Sequence, residues 1–345
     1  MKIALDAMGG DFAPKATIAG AVLALREYPH LTKLFLVGDK DRIEAELKAN
    51  EYSDPRIEIL HTTQIVEMND SGLDAVRRKK DSSISRATDL VKNGDAEAVV
   101  SAGHTGAAVT AAAIKMRTLP GVERPAIAAV MPTETNYFVL IDAGANTEST
   151  PLQLVQNAIM GATYSEHVLG YKNPSVGLMS IGTEEEKGNE LTKETFDGLK
   201  KSGVNFRGNI EGHDLFENPV EVVVCDGFTG NIVLKTCEAI AHAIFRWLKH
   251  ELYKSPFTKL GGLLAKPAFK TIYKKTNAEE YGGMPLLGVN GICIIAHGGS
   301  SPVAIKNAIR AAAEQIKHEV NPQIVARIKS YNEKAAASQP APAQA

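Results

Sequence analysis

Ser101-Ala102-Gly103-His104-Thr105-Gly106 places two hydroxyls, two glycines and an imidazole between an apolar run and an alanine-rich one. A strand that breaks into small residues and restarts as a helix leaves backbone N–H groups unpaired and aimed at one point. The helix dipole adds partial positive charge there, so these residue types in this order suit an anion. An ordinary tight strand-to-helix connection has the same composition, so chemistry requires that other turns converge on this one.

Further turns carry the same mixture. Asp6-Ala7-Met8-Gly9-Gly10-Asp11 closes the first apolar run; its aspartates can orient a basic group or bind substrate, and Asp11 can equally cap the next helix. Asp142-Ala143-Gly144-Ala145-Asn146 ends another run ahead of Thr150-Pro151, an N-cap with proline in the first turn. Lys187 follows Glu184-Glu185-Glu186, a pattern also expected of a solvated loop. Asp226-Gly227-Phe228-Thr229-Gly230-Asn231 opens a long helix, and His297-Gly298-Gly299-Ser300-Ser301-Pro302 opens another. Arg124-Pro125 stands just before an apolar run. Together these turns are expected at one pole of one sheet, where fixed N–H donors and the cations Arg124, Lys187 and His297 suit a phosphate-sized anion.

The elements that must position these turns alternate along the chain. Apolar runs at 3–7, 34–37, 57–60 and 96–101 are each followed by helical periodicity, at 16–27, 41–49, 83–92 and 105–116. Runs at 126–131 and 138–143 lie close together and read as a hairpin or meander. Helices at 151–169, 191–202, 228–252 and 302–320 alternate with runs at 176–181, 220–225 and 286–296. The pattern predicts an α/β fold, a mostly parallel sheet in a three-layer α/β/α sandwich, with ligands outside the carboxyl ends of the strands. A single catalytic domain is expected over 1–330, with 335–345 a disordered, low-complexity tail.

Composition excludes several classes. The formal charge of −2 argues against bulk nucleic-acid binding. Cys225, Cys237 and Cys293 lack metal or disulfide spacing, which points to a reducing cytoplasm. No secretory leader or membrane-length apolar run is expected. The phosphate-binding glycine motifs of dinucleotide and P-loop enzymes are missing, as is a serine-hydrolase elbow, so no cofactor and no metal is expected.

From 246 to 277 the composition turns basic and apolar. Phe257, Leu260, Leu263 and Leu264 fall at helical spacing beside Lys259 and Lys266, and breaks are expected at Gly261-Gly262 or Pro267. This predicts a protruding helical hairpin that packs on the core or a second subunit, or touches an anionic membrane or acidic protein.

The motifs DAMGGD at 6–11, SAGHTGA at 101–107, ERPA at 123–126 and DAGAN at 142–146 together form a specific set. IGTEEEKGN at 181–189, CDGFTGN at 225–231, EYGGMPLLGVNG at 280–291 and AHGGSS at 296–301 extend it. In this order they make the chain similar to the bacterial phosphate acyltransferases, PlsX-type acyl-carrier-protein:phosphate transacylases of phospholipid synthesis. The resemblance implies a fold like the isocitrate/isopropylmalate dehydrogenases and phosphotransacetylases. It also implies a homodimer, peripheral membrane association, and partners comprising acyl-carrier protein, inorganic phosphate and a downstream glycerol-phosphate acyltransferase. Position 104, usually asparagine in that family, is histidine here, which adds a group able to titrate near neutrality.

With no recognisable activated serine or cysteine and many anion-binding turns, phosphate itself is expected to attack the thioester directly, without a covalent acyl-enzyme. Ser101, Thr105 and the N–H groups around Gly103, His104 and Gly106 are expected to hold phosphate, with Arg124 and Lys187 supplying charge. His297 orients phosphate or stabilises the oxyanion. Asp6, Gly9, Gly10, Asp11, Asp142, Asn146, Asp226 and Asn231 complete the expected substrate-binding set. A short-chain acyl-CoA phosphotransacetylase and a non-catalytic membrane scaffold are the competing readings.

Overall fold

The computed structural model describes residues 1–67, 69–217, 220–276 and 278–337. The chain begins β1 (Lys2–Asp6), α1 (Lys15–Glu27), β2 (Lys33–Gly38), α2 (Lys40–Ala49) and β3 (Ile57–His61). It continues α3 (Gly72–Arg78), α4 (Ser83–Lys92), β4 (Ala98–Ser101) and α5 (Thr105–Ala111). The hairpin β5 (Ala126–Pro132) and β6 (Tyr137–Ile141) leads to α6 (Pro151–His167), β7 (Ser175–Met179), α7 (Glu190–Lys201), β8 (Asn205–Ile210) and β9 (Val222–Val224). Last come α8 (Gly227–Leu252), α9 (Pro256–Thr276), β10 (Met284–Leu287), β11 (Ile292–Ile295), α10 (Pro302–Lys317) and α11 (Val320–Ala337).

The strands form one sheet of order β3-β2-β1-β4-β11-β10-β5-β6-β9-β7-β8. Ile3, Leu5, Val99, Ile141, Leu178, Val223 and Ile294 are all buried because helices cover both faces, as the uninterrupted apolar runs require. One face packs against α4, α5 and the start of α8 through Ile84, Ala108 and Leu234. The other face is divided: Ile18, Ile43 and Ile305 bring α1, α2 and α10 onto one half, and Leu154, Phe196 and Ile324 bring α6, α7 and α11 onto the other. The protein is therefore the expected α/β sandwich with a mostly parallel sheet.

The expectation of one shared pole fails at the middle of this sheet. β3, β2, β1, β4 and β11 are mutually parallel. β10 is antiparallel to both β11 and β5, and β5 is antiparallel to β6. β6, β9, β7 and β8 are again mutually parallel, so they run opposite to the first group. The carboxyl ends of β1, β4 and β11 thus lie at one edge of the sheet, and those of β6, β7 and β9 lie at the other. Local periodicity reports that a segment is a strand; it carries no information on which way the strand enters the sheet.

Several element expectations are refined. The run at 286–296 is two antiparallel strands, and 302–320 spans α10 and the start of α11. β8 lies where no strand was expected, because Asn205, Arg207 and Asn209 dilute its apolar content at the sheet edge. The protrusion is the pair α8 and α9, with its corner at 253–255. α9 continues through Gly261-Gly262 and Pro267. A Cβ at Gly262 would stand 3.2 Å from Leu252 Cδ1, so this glycine marks a close crossing of the two helices rather than a break. α9 buries no residue, so water can satisfy the carbonyl that Pro267 leaves unpaired. α11 reaches Ala337 and so includes 335–337 of the expected tail; 338–345 lie outside the described residues. No described helix is long and apolar enough to cross a membrane.

Candidate active site

Three turns at the β1, β4 and β11 ends interlock. Asp11 N–H donates to Gly298 O at 2.8 Å. Gly10 has φ +112°, and a Cβ there would lie 3.0 Å from Gly298 O and 3.3 Å from Ala102 O. A Cβ on Gly9 would lie 2.6 Å from Asp6 Oδ2 and 2.7 Å from Gly103 N, so glycine is required by close approach. The DAMGGD, SAGHTGA and AHGGSS motifs are therefore three walls of one site.

Asp6 is the buried post of this site. Ser101 Oγ donates to its Oδ2 at 2.7 Å, and Gly103 N–H donates back to Ser101 Oγ at 3.1 Å, which fixes the turn. Burial pushes the Asp6 carboxyl above its ordinary range, and hydrogen bonds from Ser83, Ser101, Met8 and Gly9 pull it partly back. A niche of about 10 Å³ among Asp6, Ser83, Ser101, Gly103 and His104 has room for about one water-sized centre. The niche is too small for a phosphate-sized group.

His104 has a defined task. It is the N-cap of α5, and its Nδ1 accepts the Ala107 N–H at 3.0 Å. Asparagine at an N-cap accepts through its amide oxygen, so the imidazole is a cap of different chemistry at the same place. Accepting at Nδ1 puts the proton of the neutral ring on Nε2. Thr105 and Gly106 open α5 with no preceding turn to donate to, which leaves their N–H groups for an anion. His297 is exposed, and its Nδ1 accepts the Gly299 N–H at 3.1 Å, so its Nε2–H is likewise the outward donor. Ser301 caps α10 by accepting the Ala304 N–H at 3.3 Å, as expected, and donates to Glu279 at 2.8 Å.

The structure does not bring Arg124, Lys187, Asp142, Asn146, Asp226 and Asn231 to this edge. Arg124 precedes β5, and Lys187 follows β7; both are exposed at the opposite edge. Asp142 is fully buried and accepts the N–H groups of Ile127, Gly144, Ala145 and Asn146 at 2.8–3.1 Å, so its carboxylate organises its own turn. Burial nevertheless holds its carboxyl above the ordinary range. Asn146 Nδ2 donates to Pro125 O at 2.7 Å. Asp226 caps α8 by accepting Thr229 N–H at 2.9 Å. A Cβ on Gly230 would stand 1.9 Å from Asp142 O, and one on Gly144 3.3 Å from Asn231 Cβ. DAGAN and CDGFTGN are thus two turns locked into each other.

Sequence reasoning missed the segment that covers the cradle from the β3 side. A Cβ on Gly72 would stand 2.7 Å from Gly106 O, so α3 begins against the first turn of α5. α3 ends in Arg77 and Arg78, followed by Lys79 and Lys80. Lys79 pairs with Asp70 at 2.6 Å and Arg78 with Asp74 at 3.7 Å; Arg77, Arg78 and Lys80 are exposed. Four consecutive basic residues were the available signal; their place beside the cradle depends on β3 lying at the edge of the sheet next to β2.

Fold and site together define an α/β protein whose glycine-rich turns meet at the ends of parallel strands. Solved structures share the fold: a phosphotransacetylase from Streptococcus pyogenes aligns with TM-score 0.60 at 18% identity, over 92% of this chain and 94% of that one. A phosphotransacetylase from Staphylococcus aureus aligns with TM-score 0.59 at 16% identity, over 91% and 94% of the two chains. Residues 1–323 match the family described as "Fatty acid synthesis protein". A protein of Akkermansia muciniphila called phosphate acyltransferase is 49% identical over 94% of this chain and 95% of its own. One of Pelotomaculum thermopropionicum with the same name is 47% identical over 97% of each. The chain belongs to the phosphate acyltransferase family of enzymes.

Proposed function

We propose that the protein transfers a fatty acyl group from acyl-carrier protein to inorganic phosphate, forming acyl phosphate for phospholipid synthesis. The observation that carries this reading is the cradle at Thr105 and Gly106, joined through Gly10 and Gly298 to the turn that holds His297. A phosphate oxygen bound there attacks the thioester carbonyl, a C–O bond forms, the C–S bond breaks, and the thiolate leaves with the carrier and takes up a proton. The His297 Nε2–H is available to the carbonyl oxygen as negative charge develops on it. No covalent acyl-enzyme is needed. Burial raises all three thiols, Cys293 to about 12 and Cys225 well above the ordinary range, so neither is a thiolate nucleophile near neutral pH; Cys237 is raised as well.

Arg77, Arg78 and Lys80 beside the cradle supply the positive charge that an acidic carrier protein requires. Along α9, Phe257, Leu260, Leu263 and Leu264 are 58–87% exposed among lysines that include Lys259 and Lys266, which supports contact with anionic membrane. On α8, Ile240, Ile244 and Trp247 are 51–66% exposed along one stripe, which supports a homodimer.

The test is phosphate-dependent release of thiol from palmitoyl-carrier protein, compared with acetyl-CoA. Palmitoyl-carrier protein should be the faster substrate, and His297→Gln should lower kcat roughly 100-fold. Faster turnover of acetyl-CoA would select the short-chain phosphotransacetylase, and an acyl adduct isolated on a serine or cysteine would remove direct attack. Release of acyl phosphate from neither thioester would leave the scaffold reading.

A further inference from the structure

A cavity of about 390 Å³ opens beside the His297 turn and runs under the helical protrusion. It is lined by His297, Gly299 and Ser300 of that turn and by Val130 of β5, Leu234 and Phe245 of α8, Met284 of β10 and Ile295 of β11. Phe245 and Tyr273 of α9 meet edge to face with ring centroids 5.4 Å apart, so aromatic packing bounds part of the chamber. The volume lies in the range of small-molecule sites, about 300–1,000 Å³, and the lining is mostly apolar, with Glu238, His242 and Glu279 as its charged or titratable members besides His297.

We infer that this chamber seats the hydrocarbon chain of the acyl group and sets the chain length the enzyme accepts. The inference rests on the acyl-transfer reading above and goes beyond it by assigning α8 the role of a measuring wall. A thioester carbonyl placed at His297 has the chamber beside it, and the His297 turn is joined to the cradle turns by the close approach of Gly10 to Gly298 O and Ala102 O. Each methylene buried in such a wall contributes roughly fourfold to affinity or kcat/KM until the chamber is full. Ala241, half-buried on α8, lines the same cavity and touches neither the cradle nor His297 in any hydrogen bond, so it is the position to fill.

Binding and turnover are measured on the full chain with octanoyl, dodecanoyl and palmitoyl groups. Acyl phosphonates serve as stable ligands for calorimetry, and carrier-borne thioesters as substrates. Wild type should gain affinity with chain length. Ala241→Phe should weaken palmitoyl phosphonate and palmitoyl transfer by about tenfold or more, leaving the octanoyl compounds and the phosphate KM unchanged. Phe245→Ala should shift preference toward the longest chain. Because octanoyl binding is an internal control for folding, loss confined to long chains cannot come from a collapsed helix. Affinity indifferent to chain length in wild type, or an equal loss at every length in Ala241→Phe, overturns the inference and gives the chamber to the carrier's pantetheine arm. Binding that tracks chain length without any acyl phosphate formation keeps the chamber and discards the transfer reading.

Discussion

At the scale of single residues, His104 and Asp6 fix the turn between β4 and α5. The His104 cap is its Nδ1, which accepts the Ala107 N–H. His104→Asn should preserve α5, whereas His104→Ala should cost about 1 kcal/mol. Denaturant unfolding should show His104→Asn close to wild type and His104→Ala weaker; an equal loss in both would exclude the cap. Asp6 carries a pH dependence. Its folded carboxyl lies above the unfolded one, so the native state holds the extra proton between the two values. Unfolding free energy therefore decreases as pH rises through that window. The difference between wild type and Asp6→Asn should carry this slope, and a flat difference would show that Asp6 is not raised.

At the scale of elements, the sequence showed what each segment is better than where it goes. The hairpin β5–β6, the long helix opening at Asp226 and the Ser301-Pro302 start of α10 were legible, because caps, prolines and apolar period act within a few residues. The break expected in the protrusion was misplaced, since Gly262 answers to Leu252 on the neighbouring helix and not to its own turn. That hairpin is the element whose exposed apolar face most needs a partner. Phe257→Glu with Leu263→Glu should abolish sedimentation with anionic liposomes and leave turnover of soluble thioester within about twofold, since α9 buries no residue. Retained liposome binding would assign the face to protein contact.

At the scale of the whole molecule, the reversal of strand direction through β10, β5 and β6 separates two kinds of glycine-rich turn. At one edge, Gly9, Gly10, Gly103 and Gly298 let three loops meet in close contact. At the other, Gly227 and Gly230 let α8 start against the Asp142 turn, and the same glycines and aspartates serve packing. The sequence alone determined the family, the α/β class and the caps at Thr150, Asp226 and Ser301, because these are written in local pattern and motif order. Only the tertiary structure decided that Arg124 and Lys187 stand away from the cradle, that Arg77 and Arg78 stand near it, and that a chamber opens beside His297. Those facts depend on which strands pair and in which direction, and such pairings are set by contacts between residues up to hundreds of positions apart.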